Sequence, residues 1–131
     1  MSVIALIQLR VHAALDARPR HQLRVPALHS RTVGEVDRVA RMRYPLEILE
    51  TVRAVWPANL PLSVRISSVD GIDGGIDLVD SVAFAKEAKT RGADIIDCSS
   101  GGLMGSATAA RIPRGYSFQV PFAQEIRQKA D

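Results

Sequence analysis

Cysteine is almost absent from this sequence: Cys98 stands alone among 131 residues. A single thiol excludes an intrachain disulfide and a thiolate metal cluster, and it suits a reducing compartment, so a cytoplasmic location is expected. Aromatic residues make up only 5% of the chain. They supply no stacking platform for bases, and zinc-finger spacing is missing, so no nucleic-acid partner is expected despite the net charge of +3. Long apolar runs are missing as well. The opening Met1-Ser-Val-Ile-Ala-Leu-Ile-Gln-Leu9 lacks a basic leader, is interrupted by Gln8 and Arg10, and is too short to span a bilayer. Residues 3–11 therefore read as a buried strand, with no membrane association.

What is present suffices for one ordinary domain with a hydrophobic core, since 47% of the residues are hydrophobic. The charge is uneven. Residues 1–43 hold eight arginines against Asp16, Glu35 and Asp37, which leaves −2 on the remainder of the chain. Residues 16–41 show no clean period and are broken by Pro19, Pro26 and Gly34. From Tyr44 the pattern sharpens. Pro45 suits a first helical position, and Leu46, Leu49, Val52, Val55 and Trp56 recur at helical spacing until Pro57 stops the run. A strand over residues 62–67 follows, then a Gly- and Asp-rich loop with Asp77 as N-cap and Asp80 in the first turn of a helix over residues 78–91. Gly92 suits a left-handed helix end. A second strand occupies residues 93–100, and Val120-Pro121 opens a last helix through Phe122 and Ile126.

Strands alternating with amphipathic helices imply a parallel sheet, because parallel strands need long crossovers and the helices must bury their apolar faces. An open sheet and a barrel piece both satisfy this. In either, ligands bind beyond the carboxyl ends of the strands, where Ser67-Ser-Val-Asp70 and Asp97-Cys-Ser-Ser-Gly-Gly102 fall. Arg65 lies inside the first strand, where a charge requires an anionic or strongly polar answer. Two readings compete for it: contact with a ligand, and an internal pair with Asp97 on the neighbouring strand.

Other candidates read more plainly. Cys98, at a strand end with no histidine nearby in sequence, suits a small core residue better than a nucleophile. Asp70, Asp73 and Asp77 lack the closing glutamate of an EF-hand loop, so capping and loop solvation are expected of them and no metal site. Gly101, Gly102 and Gly105 fit neither the P-loop nor the dinucleotide fingerprint.

The run Arg41-Met-Arg-Tyr-Pro-Leu-Glu47, then Trp56-Pro, Pro61-Leu-Ser-Val-Arg-Ile-Ser-Ser68, Gly74-Gly, Gly92-Ala-Asp-Ile-Ile-Asp-Cys-Ser-Ser-Gly-Gly102 and Gln119-Val-Pro-Phe-Ala123 resembles the Old Yellow Enzyme family, most of all its bacterial xenobiotic-reductase branch. The resemblance covers residues 42–131. It implies an FMN-containing (β/α)8 barrel in which NAD(P)H reduces the flavin and the flavin passes hydride to an activated, α,β-unsaturated alkene. The chain would be an α/β fragment of that TIM barrel, about strands 4 to 6 with their helices, without the early strands or the last two that grip the FMN phosphate.

Residue by residue, Arg65 matches the family arginine that reaches the N1 and C2 carbonyl edge of the flavin. A fixed guanidinium there stabilises the negative charge of the reduced ring. Val11-His12-Ala13-Ala14-Leu15 resembles the first half of the family's active-site His-x-x-His or His-x-x-Asn, which makes His12 the catalytic candidate. Leu15 stands at the second position and cannot donate a hydrogen bond, so the clamp on the substrate oxygen would be incomplete. Surface histidine is the competing reading for His12, as for His21 and His29. The resemblance breaks off over residues 16–31 and resumes near Arg41, the pattern expected of a scrambled or frame-shifted segment. This divides the chain into residues 1–43, a strand plus an irregular Arg-rich segment, and residues 44–131, the βα units. The expected consequence is a chain that on its own binds FMN weakly or not at all and has little ene-reductase activity. The alternative is an inactive barrel remnant that self-associates through exposed sheet edges.

Overall fold

The computed structural model describes residues 38–101, 112 and 114–131. Its elements run α1 (Arg38–Val55), β1 (Ser63–Ser67), α2 (Leu78–Thr90), β2 (Ile95–Ser99) and α3 (Val120–Ala130). The two strands pair in parallel, with Ser63 opposite Ile95, Arg65 opposite Asp97 and Ser67 opposite Ser99. The result is a mixed α/β unit with a small parallel sheet, as the alternation of strand and helix patterns requires. The strand expected over residues 3–11 lies outside the described residues.

One core holds the elements together. Val64 and Ile66 of β1 pack with Leu46, Leu49 and Val52 of α1, Phe84, Ala85 and Ala88 of α2, and Ile126 of α3, with Ile96 and Cys98 of β2 against the same cluster. Strand residues alternate in direction, so all three helices cover one face of the sheet. The other face carries Ser63, Arg65 and Ser67 of β1 beside Ile95, Asp97 and Ser99 of β2. Of these, only Ile95 is exposed, at 50%; the others are half-buried.

The first helix departs from expectation. It begins at Arg38, and Pro45 sits buried inside it instead of opening it. An interior proline forfeits one i→i−4 hydrogen bond and crowds the preceding turn. Here the added turns are tethered from outside: Arg38 Nε donates to Asp80 Oδ1 at 2.5 Å, Arg41 Nη2 lies 3.6 Å from Asp80 Oδ2, and Met42 packs on the core. Hydrophobic spacing that starts at Leu46 carries no trace of ion pairs to a later helix.

The second helix follows its sequence closely. Asp77 is extended (φ −108°, ψ 179°) and accepts from the Asp80 amide at 2.8 Å, while Asp80 Oδ2 accepts from the Asp77 amide at 3.4 Å, which completes a reciprocal capping box. At the other end Gly92 adopts φ +88°, and its N–H donates to Lys89 O at 3.0 Å. A Cβ there would lie 2.7 Å from Arg53 Cδ, so both the conformation and the close approach call for glycine. Arg53 itself closes the amino end of the sheet. It donates to Trp56 O at 3.1 Å and Pro57 O at 2.7 Å and approaches Asp94 Oδ2 at 3.5 Å, and that carboxylate accepts from the Leu62 amide at 2.8 Å. No helix among the described residues is long and apolar enough to cross a membrane.

Candidate functional site

The carboxyl ends of β1 and β2 are drawn together by backbone bonds that outlast the ladder. Ser68 N–H donates to Ser99 O and Gly101 N–H to Val69 O, each at 2.8 Å. The Ser67 hydroxyl lies 3.3 Å from the carbonyls of Val69 and Gly101. Gln119 Nε2 donates to Ser100 Oγ at 3.3 Å, which ties the start of α3 to the end of β2. The strand ends thus form one polar platform.

Arg65 is the charged centre of that platform. In a parallel ladder residues in register point to the same face, so the pairing of Arg65 with Asp97 puts guanidinium and carboxylate side by side. Arg65 Nη1 donates to Asp97 Oδ2 at 3.1 Å, and Nη2 reaches Ser99 Oγ at 3.5 Å. The internal pair read from the sequence therefore forms. The side chains remain 36% and 45% exposed, so the pair does not bury the guanidinium away from a ligand on the open face. Ser99 escaped notice in the sequence. Its signal was there, two positions beyond Asp97 on the same strand face.

Of the capping and loop solvation expected of Asp70, the carboxylate does accept a loop amide, but it is buried and not solvated. Asp70 is 1% exposed, immediately beyond β1. Its carboxylate accepts from the Ile76 amide at 2.7 Å while its own amide donates to Ile76 O at 2.9 Å, which closes the loop over residues 70–76. Gly75 is packed so tightly there that a Cβ would fall 2.8 Å from Asp70 Cβ. Desolvation pushes the Asp70 carboxyl up, opposed by the Ile76 hydrogen bond and by the charge of Arg41. An Asp in a Gly-rich loop looks solvated in sequence; only the fold over it removes the water.

Cys98 lies half-buried on the helix-covered side. Burial pushes its thiol up, the Ser68 hydroxyl draws it down, and the charge of Asp97 adds to the rise. A thiol held protonated is a poor nucleophile. Among the described residues no group of three or more His, Cys, Asp or Glu could hold a metal ion. His12, with Leu15, His21 and His29, lies outside the described residues, as do Gly102 and Gly105. A groove of about 540 Å³ opens between α1 and α2, lined by residues such as Met42, Leu46, Glu87 and Arg91 and by none from the strands, so it is separate from the platform.

The donors of the platform suit the ligand edge that the sequence resemblance implies. A guanidinium reachable from the open face matches the carbonyl and electron-rich ring nitrogen of a flavin's pyrimidine edge, and the hydroxyls of Ser67 and Ser99 lie on the same face.

Comparison with known proteins points the same way. Residues 33–130 match the family model of the NADH:flavin oxidoreductase / NADH oxidase family. An NADPH dehydrogenase of Bacillus subtilis (strain 168) is 44% identical over 91 residues, which cover 70% of this chain and 25% of that protein. An NADPH dehydrogenase of Halalkalibacterium halodurans is 41% identical over the same share of each chain. One from Listeria monocytogenes serotype 4a is 42% identical over 84 residues, covering 64% of this chain and 23% of its own length. The chain spans about a quarter of the length of the curated relatives it matches.

Proposed function

Because the chain belongs to the NADH:flavin oxidoreductase / NADH oxidase family, the Old Yellow Enzyme family, we propose that its polar strand-end platform is one edge of an FMN site in an NAD(P)H-dependent oxidoreductase. The observation that carries this reading is Arg65, held by Asp97 on the face of the sheet away from the three described helices and 36% exposed. FMN, when bound, would relay reducing equivalents from NAD(P)H to an α,β-unsaturated small molecule. This chain's contribution is to orient the flavin: Arg65 supplies a fixed positive charge at the pyrimidine edge, where the reduced ring is electron-rich.

The same reading assigns β1 and β2 as the fifth and sixth strands of a (β/α)8 barrel and residues 44–131 as its βα units. Helices on one face and a polar, half-buried second face support it, since a barrel wall carries its helices outside and turns its other face inward. Two strands surround only part of a flavin, so the expected affinity of the isolated chain is low.

The test is a titration of the purified chain with excess FMN, followed by flavin fluorescence and visible absorbance, beside Arg65→Ala. Saturable binding that the variant loses is the expected result. Equal signals from the two proteins, or none from either, would overturn the proposal. A second reading has its own observation: within the described residues the sheet is two-stranded, and Ile95 is exposed beside its outer edge. Unpaired strand edges favour self-association. Concentration-dependent oligomers that ignore FMN would support that reading instead.

A further inference from the structure

We infer that Asp97 is a positioning residue for Arg65: it holds the guanidinium in a single orientation on the open face and offsets part of its charge, so that it sets both the affinity and the reduction potential of the bound flavin. The inference rests on the flavin reading above and goes beyond it. An exposed arginine side chain samples many rotamers, and ordering it on ligand binding costs affinity. Arg65 is ordered in advance. The ladder places Asp97 directly across from it, Asp97 Oδ2 accepts from Nη1 at 3.1 Å, and Ser99 Oγ lies 3.5 Å from Nη2. Both anchors come from β2, so the guanidinium is gripped from one side.

The carboxylate has a second, electrostatic effect. A negative charge about 3 Å from the guanidinium lowers the positive potential felt by anything that docks on Arg65. Reduction of a flavin gathers negative charge at the edge that Arg65 would face, so an unopposed arginine favours reduction and a paired one restrains it. Geometry and charge can be separated by substitution. Asparagine keeps a hydrogen-bond acceptor at position 97 without the charge, whereas alanine removes both.

The experiment uses the full chain with Asp97→Asn and Asp97→Ala, FMN as the probe, and three readouts: the Arg65 Nε–H signal in nitrogen-15 NMR, assigned by its loss in Arg65→Lys; the FMN dissociation constant; and the midpoint potential of the bound flavin. In Asp97→Ala the Arg65 signal should broaden and FMN should bind about tenfold more weakly, the scale of one oriented charge-assisted hydrogen bond. In Asp97→Asn affinity should stay within about twofold, since an acceptor remains, while the potential rises. A merely structural role would leave the potential unchanged. An unchanged Arg65 signal in Asp97→Ala, or an unchanged or lower potential in Asp97→Asn, would overturn the inference. Should Asp97→Ala fail to fold, Asp97→Asn decides through the potential, because its remaining acceptor leaves the Arg65 signal in place. If the unsubstituted chain takes up no FMN, the flavin reading fails, and the Arg65 signal alone then decides whether Asp97 positions the guanidinium.

Discussion

The two faces of the sheet are made by the same five-residue strands and behave as different materials. On the helix side, Val64 and Ile66 are 1% and 5% exposed, and their energetics are those of packing. On the other side, Arg65 and Asp97 form an ion pair that water and a ligand can still reach. Apolar packing is concentrated on the first face and the proposed ligand contact on the second, although consecutive residues supply both. Substitutions one position apart should therefore have unrelated consequences.

The largest effect is expected at Ile66→Ala. Removing a buried side chain from this core should cost about 2–5 kcal/mol, read as a lowered denaturant midpoint with an unchanged slope. A loss below about 0.5 kcal/mol would mean that the helix side is not the stabilising face. The comparison can also be sharpened with pH at Asp70, where the β1 ladder runs into the site. Its folded-state pKa is raised by desolvation, so the native state binds the proton more tightly than the unfolded chain. This group's contribution is fully present below the ordinary carboxylate pKa and is lost as pH rises through the raised value. Asp70→Asn should remove that component, making the slope of stability against pH more positive across this window. An unchanged slope would show that the carboxyl is hydrated in the folded protein. The smallest stability change is expected at Arg65→Ala. A partly exposed ion pair contributes about 0–1 kcal/mol, so the variant should melt nearly as the unsubstituted chain does while losing FMN binding. A large destabilisation there would blur the distinction between the faces.

Much of this was legible in the residues. Asp77 and Asp80 are spaced for a capping box and form one, and Gly92 ends α2 with a positive φ. These are local devices, complete within a few residues, and local sequence specifies them. The site was legible only in part. Arg65 and its two competing readings could be named, but not that the pair with Asp97 forms while the guanidinium stays reachable. Period-two spacing places Ser99 on the face of Asp97, but the Gln119 contact with Ser100 joins residues on different elements that no spacing rule relates.

By itself the sequence determined the order of strands and helices, the alternation of polar and apolar strand positions, the capped ends of α2 and membership of the family. Each follows from short-range periodicity, backbone preference or an ordered set of motifs. The tertiary structure alone decided that Pro45 lies inside a helix tethered by Asp80, that Asp70 is buried, and that Arg65 is held by Asp97. The physical reason is separation along the chain. Arg65 and Asp97 are 32 positions apart, and Arg38 and Asp80 are 42, so their contacts exist only once the crossover helices pack and set the register of the ladder.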